Sequence, residues 1–182
     1  MHRSAIFSLV AAILFVPLAV GAAGLSVMID GRTVVFSDVP EDAWFSTYVQ
    51  QAAEAGIVSG YRDMQGNLTG KFGPGDPVTI AQALKIAVEG AGYSVTPISA
   101  FNCSGPCHWA TGYVQLAHDR HFPFFATDGE YLVEIDRPAI RAEVAQIFVD
   151  AYELDFVFEP SRGSSFRDVD PNGPHVGAIE VL

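Results

Sequence analysis

The sequence predicts an all-α fold of mainly helical repeats, and three observations predict it. The first is an aromatic signature that recurs. Phe36, Trp44 and Tyr48-Val49-Gln50 follow the pattern F-x7-W-x3-Y-V-Q, and Phe101, Trp109 and Tyr113-Val114-Gln115 repeat it 65 residues later. The second is a downstream segment that recurs at its own offset. Pro77-Val78-Thr79-Ile80-Ala81-Gln82 aligns with Pro138-Ala139-Ile140-Arg141-Ala142-Glu143 at a spacing of 61 residues, so the loop joining the two halves is four residues shorter in the second copy. The third is that both halves carry apolar residues at helical spacing. Self-similarity of this kind marks an array of two-helix units that bury their apolar faces only against one another.

The elements follow in order. Residues 1–23 read as a secretory signal: His2 and Arg3 supply a positive start, an uncharged apolar run extends from Ala5 to Val20, and Gly21-Ala22-Ala23 offers a cleavage site. The run is short for a membrane span. An uncleaved N-terminal anchor is the alternative, and either reading places the remainder outside the cytoplasm. The first unit occupies residues 34–97. In its first helix Trp44, Tyr48, Ala52 and Ala55 fall on one face, and Gly56 is placed to end it in a left-handed cap. A Gly- and Pro-rich loop follows from Gly60 to Pro77, with Phe72 expected to pin it to the core. Thr79 and Gln82 then form a capping-box pattern, Leu84, Ala87, Val88 and Ala91 make a buried stripe, and Gly90 and Gly92 mark the end. The second unit covers residues 98–158 and has Ile140 where Thr79 stands, so it lacks the side-chain cap, a loss of about 1 kcal/mol. A partial third unit covers 164–182, opening with Phe166-Arg167-Asp168-Val169 like Phe36-Ser37-Asp38-Val39. Large aromatics dominate small cores, so Trp44, Tyr48, Trp109 and Tyr113 are expected to be core residues before they are ligand platforms.

Composition narrows the function. Of 182 residues 49% are hydrophobic, enough for a packed core, and the formal net charge is -11. Removing the signal takes away Arg3 and no acid, which leaves the chain more acidic still. Such a chain repels nucleic acid and anionic lipid, and an anionic ligand needs a local cationic site.

The combination Phe36-x-Asp38-Val39, Trp44, Gly56-Ile57-Val58-x-Gly60, Phe72-x-Pro74 and a helix start at Thr79 resembles the S-layer homology (SLH) repeat. The segment from Trp109 through Ile140-Arg141-Ala142-Glu143 is similar to the same repeat with a degenerate opening, and the likeness runs over roughly residues 34–182. The resemblance implies three units packed as a pseudo-threefold spindle, the third truncated here. It implies binding of secondary cell-wall polysaccharide, often pyruvylated, in grooves between prongs, and thereby envelope anchoring. The family's ligand motif is T-R-A-E at the start of the second helix. The first copy reads Thr79-Ile80-Ala81-Gln82, without the arginine, and the second reads Ile140-Arg141-Ala142-Glu143, without the threonine. Arg141 is therefore the leading glycan-binding candidate: its planar fork matches a carboxylate, and the first turn of a helix favours an anion. The structural alternative is an ion pair from Arg141 to Glu143 or Asp136. Glu143, Trp109, Trp44 and Asp38 complete the candidate set, with Glu143 expected to cap its helix and Asp38 to cap the first helix.

Cys103 and Cys107 enclose Ser-Gly-Pro, and in an exported chain they read as a disulfide stapling the turn before the second unit's first helix. Zinc is the sharper alternative, with His108, His118 and His121 nearby, although C-x3-C-x10-H-x2-H is tighter at the histidines than usual sites. The run Asp168-Val169-Asp170-Pro171-Asn172-Gly173 opens like a calcium loop, but its twelfth position is Ile179, so a polar turn is expected. No catalytic motif, metal or cofactor is assigned, and the expectation is a non-enzyme. The expected function is attachment at the cell surface through cell-wall polysaccharide, with self-association through faces the partial third unit leaves uncovered. A protein-interaction scaffold without glycan binding, or the anchoring fragment of a larger secreted enzyme, are the alternatives.

Overall fold

A computed structural model describes residues 23–103, 105–125, 134–155 and 163–182. The expected signal segment lies outside the described residues up to position 22. The chain opens with an antiparallel hairpin, β1 (Gly24–Ile29) and β2 (Arg32–Pro40). Five α-helices follow among the described residues: α1 (Ser46–Glu54), α2 (Ile80–Gly90), α3 (Thr111–Asp119), α4 (Arg141–Ala151) and α5 (Val176–Val181).

The hairpin corrects the all-helical expectation. Leu25, Val27 and Ile29 alternate inward along β1, a period of two that no helix can use. Asp30 and Gly31, at φ 50° and 72°, make the two-residue turn that Asp-Gly favours. Leu25 pairs with Phe36 and Val27 with Val34, so the inward faces of both strands meet α1.

That packing also decides which side of α1 is inside. Ser46, Val49 and Ala53 are buried, whereas Trp44 is 83% exposed and Tyr48 66% exposed. The Trp44–Tyr48–Ala52–Ala55 face expected to be core points outward, and Ala55 is exposed. Both sides of α1 carry apolar residues at helical spacing; the hairpin claims the Val49 side. Gly56 ends the helix at φ 77°, as its position predicts.

The second core lies among α2, α3 and α4, around Ile80, Leu84, Ala87, Val88, Ala117 and Ile147. The capping box of α2 is formed: Gln82 N–H donates to Thr79 Oγ1 at 3.2 Å and Thr79 N–H to Gln82 Oε1 at 2.9 Å. In α4 only the Glu143 half exists, taking Ile140 N–H at 2.9 Å, because isoleucine has no acceptor to return. The starts of α2 and α4 meet in a short antiparallel crossing, with a bridge between Thr79 and Pro138. Ile80 N–H donates to Arg137 O at 3.2 Å, Ala81 N–H to Ile135 O at 2.8 Å, and Ala139 N–H to Val78 O at 2.8 Å. The segment leading into α4 thus satisfies first-turn amides that α2 itself leaves open. Helix α5 packs on α4 after a polar turn in which Asp170 Oδ1 accepts Asn172 N–H at 2.9 Å.

Candidate functional site

A groove of about 670 Å³ lies between the chain around α1 and α2 and the side chain of Trp109. The chain leaving α1 at Ile57–Gly60 forms one wall, and the returning loop through Phe72 and Gly73 forms another. Helix α2 contributes Gln82 and Lys85, and Trp109 closes the far side.

The loop walls are held by Asp38, which is in β2 and does not cap α1. Its carboxylate accepts Phe72 N–H at 2.9 Å and 3.2 Å and Gly73 N–H at 2.9 Å. Burial pushes its pKa upward, but the amides of Phe72 and Gly73 prevail and hold it below the usual carboxylate value. The Phe72 ring lies 5.4 Å from Phe36, so the expected pin is in place. Gly60 is required where it stands: at φ 71° an added Cβ would meet Lys71 O at 2.5 Å and the Phe36 ring at 2.8 Å.

The polar groups facing the groove are unevenly satisfied. Asp76 accepts the Tyr61 hydroxyl at 2.9 Å, a bond that together with burial raises the phenol's pKa. Asp63 accepts the amides of Gln65 and Asn67 at 2.9 Å and 2.8 Å and the Asn67 side chain at 3.1 Å. Lys85 Nζ donates to Ile57 O at 2.7 Å, and burial holds its pKa below the ordinary lysine value. Arg62 Nη1 donates to Gly66 O at 2.9 Å, while Nη2 lies 3.8 Å from Asp30.

Trp109 is 46% exposed, half in the groove and not in the core. Its approach is stapled by the Cys103–Cys107 disulfide, with Cα atoms 5.4 Å apart. Neither cysteine therefore remains for the zinc geometry considered with His118 and His121. His108 fixes the same segment. Its Nδ1 accepts Ala110 N–H at 3.1 Å, which leaves the proton on Nε2 to donate to Asp136 Oδ1 at 3.1 Å. Tyr113 is part-buried beside the second core and donates its hydroxyl to Glu89.

Arg141 is the first residue of α4 and is exposed. Both carboxylates considered as its partners are engaged elsewhere. Glu143 forms a forked pair with Arg137, at 2.8 Å and 2.5 Å, and Asp136 holds His108. Among the described residues the Arg141 guanidinium makes no hydrogen bond or ion pair. The amides of Arg141 and Ala142 also donate to no carbonyl among them. The Arg137 pairing, opposed by burial and aided by the Ile140 amide, holds the Glu143 pKa below its usual value.

Of the five expected glycan residues, Trp109 alone lines the groove. Asp38 supports its wall from behind; Arg141 and Glu143 sit at the start of α4; Trp44 stands out from α1. Sequence reasoning passed over Lys85 and Arg62. The available signal for Lys85 was a single cation in the otherwise apolar and polar-neutral first half of α2.

Residues 35–84 match the family model of the S-layer homology domain, from β2 into α2. Such a domain is a non-catalytic module of cell-surface proteins that binds cell-wall polymers. No curated protein and no solved structure matches the chain. No helix among the described residues is long and apolar enough to cross a membrane. The chain therefore carries an S-layer homology domain, implying cell-wall anchoring, at residues 35–84.

Proposed function

We propose that the chain anchors to the envelope by binding secondary cell-wall polysaccharide, of the pyruvylated kind, in grooves between units of a pseudo-threefold spindle. The observation that carries this reading is the groove itself: it is bounded by the first unit and closed by the half-exposed Trp109 of the second. An indole face of this kind suits the apolar face of a sugar ring. Arg141 supplies a second contact, to an acidic substituent. The engagement of Glu143 and Asp136 by other donors leaves its fork available. Glu143 and Asp38 act as positioning residues, holding the α4 start and the groove wall. Trp44 offers a further exposed indole. Residues 1–23 direct export and are then cleaved.

Sedimentation with purified cell-wall sacculi, with and without their attached polysaccharide, tests the proposal. Wild type pellets only with the polysaccharide present, and Trp109→Ala and Arg141→Ala each pellet less. Equal pelleting of wild type and both variants would sink it. One observation favours a protein scaffold without glycan binding: Ile80, in the arginine's place, is fully buried, so the first unit lacks that cation. Under that reading removal of the polysaccharide leaves pelleting unchanged.

A further inference from the structure

The first unit's groove holds two cations that the T-R-A-E position does not account for. Ile80 turns that position into core, at 0% exposure. Lys85, five residues further along α2, reaches the groove instead, and Arg62 enters it from the loop. The two carboxylates that line the same groove are already served by internal donors: Tyr61 for Asp76, and Gln65 and Asn67 for Asp63. The cations keep donors in hand. A lysine has three N–H bonds and one of these is given to Ile57 O; an arginine has five, and Arg62 gives one to Gly66 O while reaching Asp30 only at 3.8 Å.

The lining thus sets two cations with spare donors beside two carboxylates already held by internal bonds, in a chain whose net charge is -11. Burial lowers the Lys85 pKa, Glu89 opposes this, and Arg62 adds to it, so the two cations lie within each other's field. Like charges that share a cleft repel, and a bound anion relieves them.

We infer that Lys85 and Arg62 take the carboxylate of an acidic sugar whose ring rests on Trp109, which makes this groove an anion site distinct from Arg141. The inference rests on the proposed glycan reading of the groove and names the chemistry at its cationic end. Such a ligand presents two acceptor oxygens and one negative charge, which the free donors of Lys85 and Arg62 can engage.

The test is titration calorimetry of the full chain with purified wall polysaccharide, before and after reduction of its carboxylates to primary alcohols. Wild type is expected to bind the native polymer at least about tenfold more tightly than the reduced one, the range expected of charge-assisted hydrogen bonds. Lys85→Met and Arg62→Gln each remove about tenfold for the native polymer and leave the reduced polymer unaffected. Lys85→Arg, which keeps the charge, retains the preference. Arg62 is on the surface loop, so Arg62→Gln decides the matter even where Lys85→Met disturbs folding. Arg62→Gln binding both polymers as wild type does would overturn the inference, while Trp109→Ala still reports on the groove. Absence of wild-type binding to either polymer overturns the groove reading and this inference together.

Discussion

Three carboxylates show how placement sets the behaviour of one residue type. Asp38 and Glu143 accept backbone or guanidinium donors and are held below their ordinary pKa values. Asp150 accepts Phe124 N–H at 3.1 Å and the Gln146 amide at 2.7 Å, yet burial prevails and raises it. A raised carboxylate penalises the folded state at neutral pH, and the penalty is relieved as pH falls through its folded pKa. A lowered one contributes stability at neutral pH, and that contribution is lost as pH falls through its folded pKa. Mild acidification should therefore raise the thermal midpoint slightly, before stronger acid lowers it. In Asp150→Asn the slight rise should vanish and the fall remain; a rise like that of wild type would contradict this assignment. None of it was legible in the sequence, where Asp38 reads equally well as a helix cap, because its real partners lie 34 and 35 residues away.

The best-read elements are those whose determinants are local. Thr79 and Gln82 announce the start of α2 within four residues, and their reciprocal bonds form. The same logic makes α4 improvable. Ile140 occupies the N-cap position with extended backbone and is exposed, so Ile140→Thr supplies the missing acceptor without emptying a core site. The expected gain is about 1 kcal/mol, read as an upward shift of the thermal or urea midpoint. No shift would mean that the missing side-chain acceptor does not limit the stability of α4. The hairpin was also announced locally, by alternation at Leu25, Val27 and Ile29 around Asp30-Gly31, but a search for helical repeats passes over a period of two. The face of α1 was illegible for a different reason. Both of its sides are apolar, and only the hairpin, an element outside the helix, selects Val49 and Ala53.

Across the whole molecule, the groove is the feature least available to sequence reasoning. It unites Lys85 with Trp109, which lie 24 residues apart, and no local pattern reports that approach. The repeat still explains one property of the assembled surface. Trp44 and Tyr48 correspond to Trp109 and Tyr113, yet they stand exposed on α1, whereas Tyr113 is packed beside the second core. Uncovered aromatics of this size favour association. Light scattering is expected to show a mass that rises with protein concentration, and Trp44→Ser should restore a monomer. A wild type that stays monomeric at high concentration would remove the expectation.

The crossing of the α2 and α4 starts has a mechanical consequence. An anchor works under tension, and here the α2 start and the segment leading into α4 share backbone bonds from Ile80, Ala81 and Ala139 to carbonyls of the opposite segment. A pull on either unit must strain those bonds together with the core beneath them. A force that separated α2 from α4 is therefore expected to part them in one step, which single-molecule pulling would read as one event where successive release would give two.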